Sequence, residues 1–229
     1  MQDNAFTRGS LKTPRAAAIA GILFSVLMLA ILLLFQLSMP HDSTEPGAWL
    51  ATHSGAVTLA LNLVPLDGLA FLWFVAVLRD RAGTREDRFF ATVFFGSALL
   101  FIAMLFAAGA VFGALVLAFA VQPDGLIDSP TFHLARALAY NLVNVYAIKM
   151  AGVFMMSTSM LAIRTGFVPR WLAVAGIASA TVLLLGSYYI PWSVLLLPLW
   201  VSLLSAEILI DNFRPRRPDD PSIAPAAGT

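Results

Sequence analysis

Long apolar runs constrain this chain more than any other feature. A bilayer hydrocarbon core about 30 Å thick needs roughly 20 residues of apolar helix to cross it. Six stretches meet that requirement between charges, prolines or turn residues, over about residues 16–38, 54–78, 89–121, 137–163, 171–189 and 192–210. The third exceeds what one crossing needs and is expected to tilt or to project past the lipid. The last two form one apolar stretch divided at Tyr188-Tyr189-Ile190-Pro191-Trp192. There the aromatic rings suit headgroup level and the proline suits the first turn of a returning helix. Since 59% of the residues are apolar and only 12% charged, a water-soluble enzyme, a nucleic-acid binder and a disordered protein are all excluded. The expected fold class is all-α, a polytopic membrane bundle of six transmembrane helices.

The basic residues set the threading, because lysine and arginine are retained on the cytoplasmic side of short loops. Arg8, Lys12 and Arg15 precede the first span, and Arg79, Arg81, Arg85 and Arg88 follow the second. Arg164 and Arg170 follow the fourth, while Arg214, Arg216 and Arg217 follow the sixth. The alternate loops hold Arg136 alone, and Lys149 falls inside a span, so the 14 basic residues divide twelve, one and one. An even number of spans with both termini cytoplasmic satisfies this pattern, whereas an odd number puts basic clusters on both faces. The expected organisation is a cytoplasmic tail over 1–15, a six-helix transmembrane domain over 16–210 and a disordered cytoplasmic tail over 211–229. That last tail is rich in proline and small residues, which cannot bury a core. The first span is too long for a secretory signal core and lacks a small-x-small site after it, so it reads as an uncleaved anchor.

Two ionisable residues lie deep in spans, each at a cost of about 2.5–3.5 kcal/mol at a helix centre. Asp67 follows Ser54 by 13 residues and Lys149 follows Ala137 by 12, so each sits roughly 18–20 Å below the outer boundary. Matched depth on two spans running in the same direction makes an ion pair the natural expectation. Asn62 and Pro65 precede Asp67 and Gly68 follows it, which suggests a kinked or unwound segment of the sort tolerated only beside protein or a water-filled cavity. Asn141, Asn144 and Tyr146 precede Lys149. The expected site for a small solute or a proton is therefore Asp67, Lys149, Asn62, Asn141, Asn144 and Tyr146. The competing reading makes the same groups the polar glue between two helices.

Other features point to no chemistry. The chain has no cysteine, and phosphate-binding glycine loops, dinucleotide fingerprints and hydrolase or zinc-protease motifs are absent. No catalytic residue, cofactor or metal site is therefore assigned, and an enzyme is not the expected class. His41, His53 and His133 lie near the carboxylates Asp42, Glu45, Asp124 and Asp128 on the outer side, without metal-ligand spacing. Ordinary solvated loops are the first reading of them, against a divalent metal site or an external pH-sensitive patch. Gly109 and Gly113 form a Gly-x-x-x-Gly in the third span, which suits close packing inside the bundle or a homodimer. Met150, Met155, Met156 and Met160 read as gap fillers, and Ser157, Thr158 and Ser159 as hydroxyls bonded to their own helix.

The stretch Arg164-Thr-Gly-Phe-Val-Pro-Arg-Trp171, the charged loop from Leu78 and the aromatic start of the third span up to Ser97 resemble bacterial six-span integral membrane proteins without an assigned activity. The resemblance covers roughly Asn62 to Trp171. It implies a topology and a place in the cytoplasmic membrane, and it transfers no functional residue. The partners expected from the sequence are the lipid bilayer and a second copy through Gly109 and Gly113, with no nucleic acid. Transport of a small solute or proton is the expected function, against a non-catalytic accessory or assembly subunit of a larger membrane complex.

Overall fold

A computed structural model describes residues 13–38, 49–82, 88–126, 129–166, 168–187 and 189–213. Everything regular in them is helical. Helix α1 runs over Thr13–Ser38, α2 over Trp49–Ala82, α3 over Arg88–Val121 and the single turn α4 over Pro123–Leu126. Helix α5 (Pro130–Asn141), a π-helical segment (Leu142–Ala147) and α6 (Ile148–Thr165) follow without a break. Helix α7 (Arg170–Thr181) ends in a second π segment (Val182–Gly186), and a 3₁₀ turn (Pro191–Leu195) opens α8 (Leu196–Phe213). Among the described residues five helical rods are long and apolar enough to cross a membrane. The sixth apolar rod, Arg170–Gly186, has 17 residues. Lipid cannot hydrogen-bond a backbone, so helix is the state in which such sequences satisfy their own amides.

Local chemistry fixes the helix ends. Ser129 is an extended N-cap whose Oγ accepts from the Phe132 N–H at 3.2 Å, with Pro130 at the first helical position, the arrangement that satisfies one of the orphan N–H groups at a helix start. Because of this cap, α5 begins seven residues before the apolar run expected from Ala137. At the other end of the rod Gly166 has φ 70°, and its N–H returns to Ala162 O at 2.9 Å. A left-handed residue there is cheap only for glycine. The turn between α7 and α8 falls where aromatic and proline residues put it: the N–H groups of Tyr189 and Ile190 both return to Gly186 O, and Pro191 starts the 3₁₀ turn.

The rods are arranged in an order set by packing. Helix α1 lies between α2 and α8, α2 meets α3, α3 meets α6, and α6 meets α7. Phenylalanines tie four of them together at one level. The Phe71 ring of α2 lies 4.6 Å from Phe24 of α1, 5.2 Å from Phe101 of α3 and 5.0 Å from Phe154 of α6. Phe94 extends the layer, 5.2 Å from Phe154. All five rings are buried. On the far side of α6, Gly176 of α7 sits where a Cβ would overlap Ser159 Oγ and lie 2.7 Å from Trp200 Nε1. The Trp200 indole N–H donates to Leu172 O at 3.1 Å, so α6, α7 and α8 close on one another at that glycine.

Candidate functional site

Asp67 projects from the buried face of α2. Four residues on, Phe71 shares that face, and both are buried, Asp67 being only 1% exposed. Among the described residues its carboxyl makes no hydrogen bond or ion pair, and Oδ1 is sealed from solvent. Buried polar groups are normally hydrogen-bonded, so this carboxyl departs from the rule where departure is most costly. Its own helix gives no relief. Helix α2 passes through Asn62–Gly68 and Pro65 without interruption, so the unwound segment expected there does not form. Proline removes one backbone bond, but in an apolar rod the remaining amides have nowhere better to go.

Lys149 finds a partner other than Asp67. Its Nζ donates to Leu184 O at 3.0 Å, across to the second π segment. Leu184 lies in the last turn of that rod, where helix carbonyls lack intrahelical donors and the dipole favours a cation. A lysine from a neighbouring helix thus acts as its C-terminal cap. The side chain reaches this carbonyl because Gly152, one turn further along α6, brings the two helices together: a Cβ on it would lie 2.9 Å from Leu184 Cγ and 3.2 Å from Ala180 O. Phe71 and Phe154 meet at 5.0 Å, so α2 and α6 touch and both ionisable groups lie to the same side of the aromatic layer. The expected ion pair between them is nevertheless absent, because Lys149 is turned onto α7.

The amides also keep to their own helices. Asn62 Nδ2 donates to Thr58 O at 2.9 Å, Asn141 Nδ2 to Ala137 O at 3.0 Å and Asn144 Nδ2 to Tyr140 O at 3.1 Å. Asn62 is on the exposed face of α2, away from Asp67 on the same rod. Tyr146 is 57% exposed. The six residues singled out from sequence are therefore not one cluster: Asp67 stands inside the bundle, Lys149 braces α7, and the other four lie along helix surfaces. No comparison finds a match, whether with family models, with curated proteins or with solved structures.

What sequence reasoning missed is the backbone. The irregular segments are the two π turns at Leu142–Ala147 and Val182–Gly186, and neither contains a proline. Lys149 itself was the signal for the second, as a donor within a span that needs an acceptor. An apolar cavity of about 10 Å³ lies where the two π segments face α1, α3 and α8, lined by Met28, Phe101, Leu105, Ala147 and Leu183 among others. Of the remaining expectations, Ser157 and Thr158 donate to Val153 O and Phe154 O at 2.8 Å each, while Ser159 Oγ has no partner among the described residues and lies against Gly176 instead. Gly109 faces Val64 of α2 within the bundle, at 3.7 Å from the position of an added Cβ, and Gly113 faces open space. His53 and His133 are exposed, the first with Nδ1 3.3 Å from Trp49 O and the second edge-on to the Phe132 ring. His41, Asp42, Glu45 and Asp128, and the side chain of Asp124, lie outside the described residues.

Proposed function

We propose that this chain is a six-span protein of the bacterial cytoplasmic membrane, with both termini in the cytoplasm, that transports a proton or a small solute coupled to one, and that Asp67 is its proton-binding group. The observation that carries the reading is the carboxyl itself: fully buried within a membrane-crossing helix and without a hydrogen-bond partner among the described residues. An ionisable side chain in such a place costs several kcal/mol and gains no hydrogen bond among the described residues in return, which is the pattern of intramembrane groups retained for function. Binding a proton, unlike binding a larger solute, needs no large chamber, in keeping with a cavity in the bundle that is small and apolar. The threading rests on the twelve basic residues that alternate loops and tails keep to one side, and the likeness to bacterial six-span proteins belongs to the same proposal.

Flux decides it. Purified protein reconstituted in vesicles holding a pH-sensitive dye, with an imposed potassium diffusion potential, is expected to pass protons faster than empty vesicles. Asp67→Asn is expected to return the rate to that of empty vesicles while eluting as the same monodisperse species. Equal flux in the two proteins removes Asp67 from the function. No flux in either favours the second reading, an accessory or assembly subunit. That reading is supported by Lys149 and the amides, all of which are engaged in holding helices rather than lining a path.

A further inference from the structure

Along α2, Asp67 lies between the level of a four-rod aromatic layer and that of a single ring contact between two rods. Measured along α2, the carboxyl-bearing residue is four residues from Phe71, or about 6 Å. At the level of Phe71 the rings of Phe24, Phe101 and Phe154 join it from α1, α3 and α6, with Phe94 behind them. Four rods, α1, α2, α3 and α6, are bridged there, on the side that carries the start of α1 and the end of α2. On the opposite side a second ring contact exists between α1 and α3: Phe35 and Phe112, with centroids 5.7 Å apart. Each lies eleven residues beyond its counterpart in the first layer, about 16 Å along the helix, which leaves Asp67 about 10 Å from this pair. Between the two levels Ala108 is buried and Gly109 meets Val64, beside the larger buried side chains Met28 and Ile31 of α1 and Ile102 of α3. The apolar cavity belongs to the same level, since Met28 and Leu105, which line it, each follow a ring of the thick layer by four residues.

We infer that the Phe35–Phe112 pair is the gate through which Asp67 is reached, and that the Phe24–Phe71–Phe101–Phe154 layer is the seal that keeps it from the side of the chain termini. The inference deepens the reading of Asp67 as a proton site by assigning the side from which the proton arrives. Several interlocked rings must move together to open the thick layer, whereas one rotation opens the pair. Apolar constrictions of this kind close a path by excluding water. Among the described residues α1 and α3 offer no charged side chain at this level, and Lys149 of α6 is held on Leu184 O.

The test uses the absence of cysteine from the chain, which makes Asp67→Cys the sole thiol. In vesicles of defined orientation, a membrane-impermeant methanethiosulfonate is expected to label this thiol slowly from the side opposite the termini and not from the terminal side. Adding Phe112→Ala, or Phe35→Ala if the first variant fails to fold, is expected to raise that rate about 2- to 10-fold, the worth of one ring pair. Adding Phe71→Ala is expected to admit the reagent from the terminal side. Labelling of Asp67→Cys from the terminal side overturns the inference. So does a rate that neither Phe112→Ala nor Phe35→Ala changes, or a thiol that no variant exposes. The gate and the proton reading fail separately: one-sided labelling without proton flux in the parent protein leaves the gate standing and removes the transport.

Discussion

At the scale of single residues, the two intramembrane ionisable groups contribute to stability with opposite signs. Lys149 caps a carbonyl that otherwise has no donor in lipid, so Lys149→Met leaves a buried acceptor unsatisfied and is expected to cost about 1–3 kcal/mol, read as a lower melting temperature in detergent. Asp67 has no compensating contact among the described residues. Replacing it by leucine removes a desolvated carboxyl, and Asp67→Leu is expected to raise the melting temperature while abolishing any proton flux. A fall in stability would mean that the carboxyl has a structural partner after all. Glycines divide in the same way. Gly152→Ala puts a methyl group against Leu184 and a backbone carbonyl and is expected to cost about 1–3 kcal/mol by overpacking. Gly113→Ala meets open space and is expected to leave the melting temperature where it is. Sequence alone identified Asp67 and Lys149 as the anomalous residues, but it could not give their partners. An ammonium ion can donate to a helix-end carbonyl as well as to a carboxylate, and which one it reaches here depends on where Gly152 lets two helices touch.

At the scale of elements, the rods were largely legible because two independent signals coincide at their ends: charge or proline outside, apolar composition inside. The α7–α8 turn at Gly186–Pro191 and the start of α3 at Arg88 fall where the sequence puts them. The start of α5 was misplaced because a serine–proline cap can begin a helix in a segment that is not itself apolar. Ser129→Ala is expected to cost about 1 kcal/mol, seen as faster hydrogen exchange at Phe132 and the amides beside it, with the exchange of α6 unchanged. Irregular backbone was the least legible feature. Pro65 and Gly68 advertise a break in α2 that does not form, whereas the π turns at Leu142–Ala147 and Val182–Gly186 arise in sequences with no breaker of that kind. Nothing in their local composition marks them.

At the scale of the whole molecule, the proposed orientation rests on the distribution of basic residues alone. Fusion of green fluorescent protein to the C-terminus is expected to give fluorescent cells, and alkaline phosphatase at the same position to give none of its activity. The reverse result would mean that the threading is inverted or that one rod fails to cross. The rods also differ greatly in reach. Helices α2 and α3 have 34 residues each, about 51 Å at 1.5 Å per residue, whereas Arg170–Gly186 has 17, about 25 Å. If α3 and α7 both cross, lipids beside α7 would have to thin to cover it, while α3 would tilt, project past the lipid or stretch it. A membrane that followed these unequal rods would be thinner beside α7 than beside α3, and several copies facing the same way would then bias its local curvature whatever the protein does.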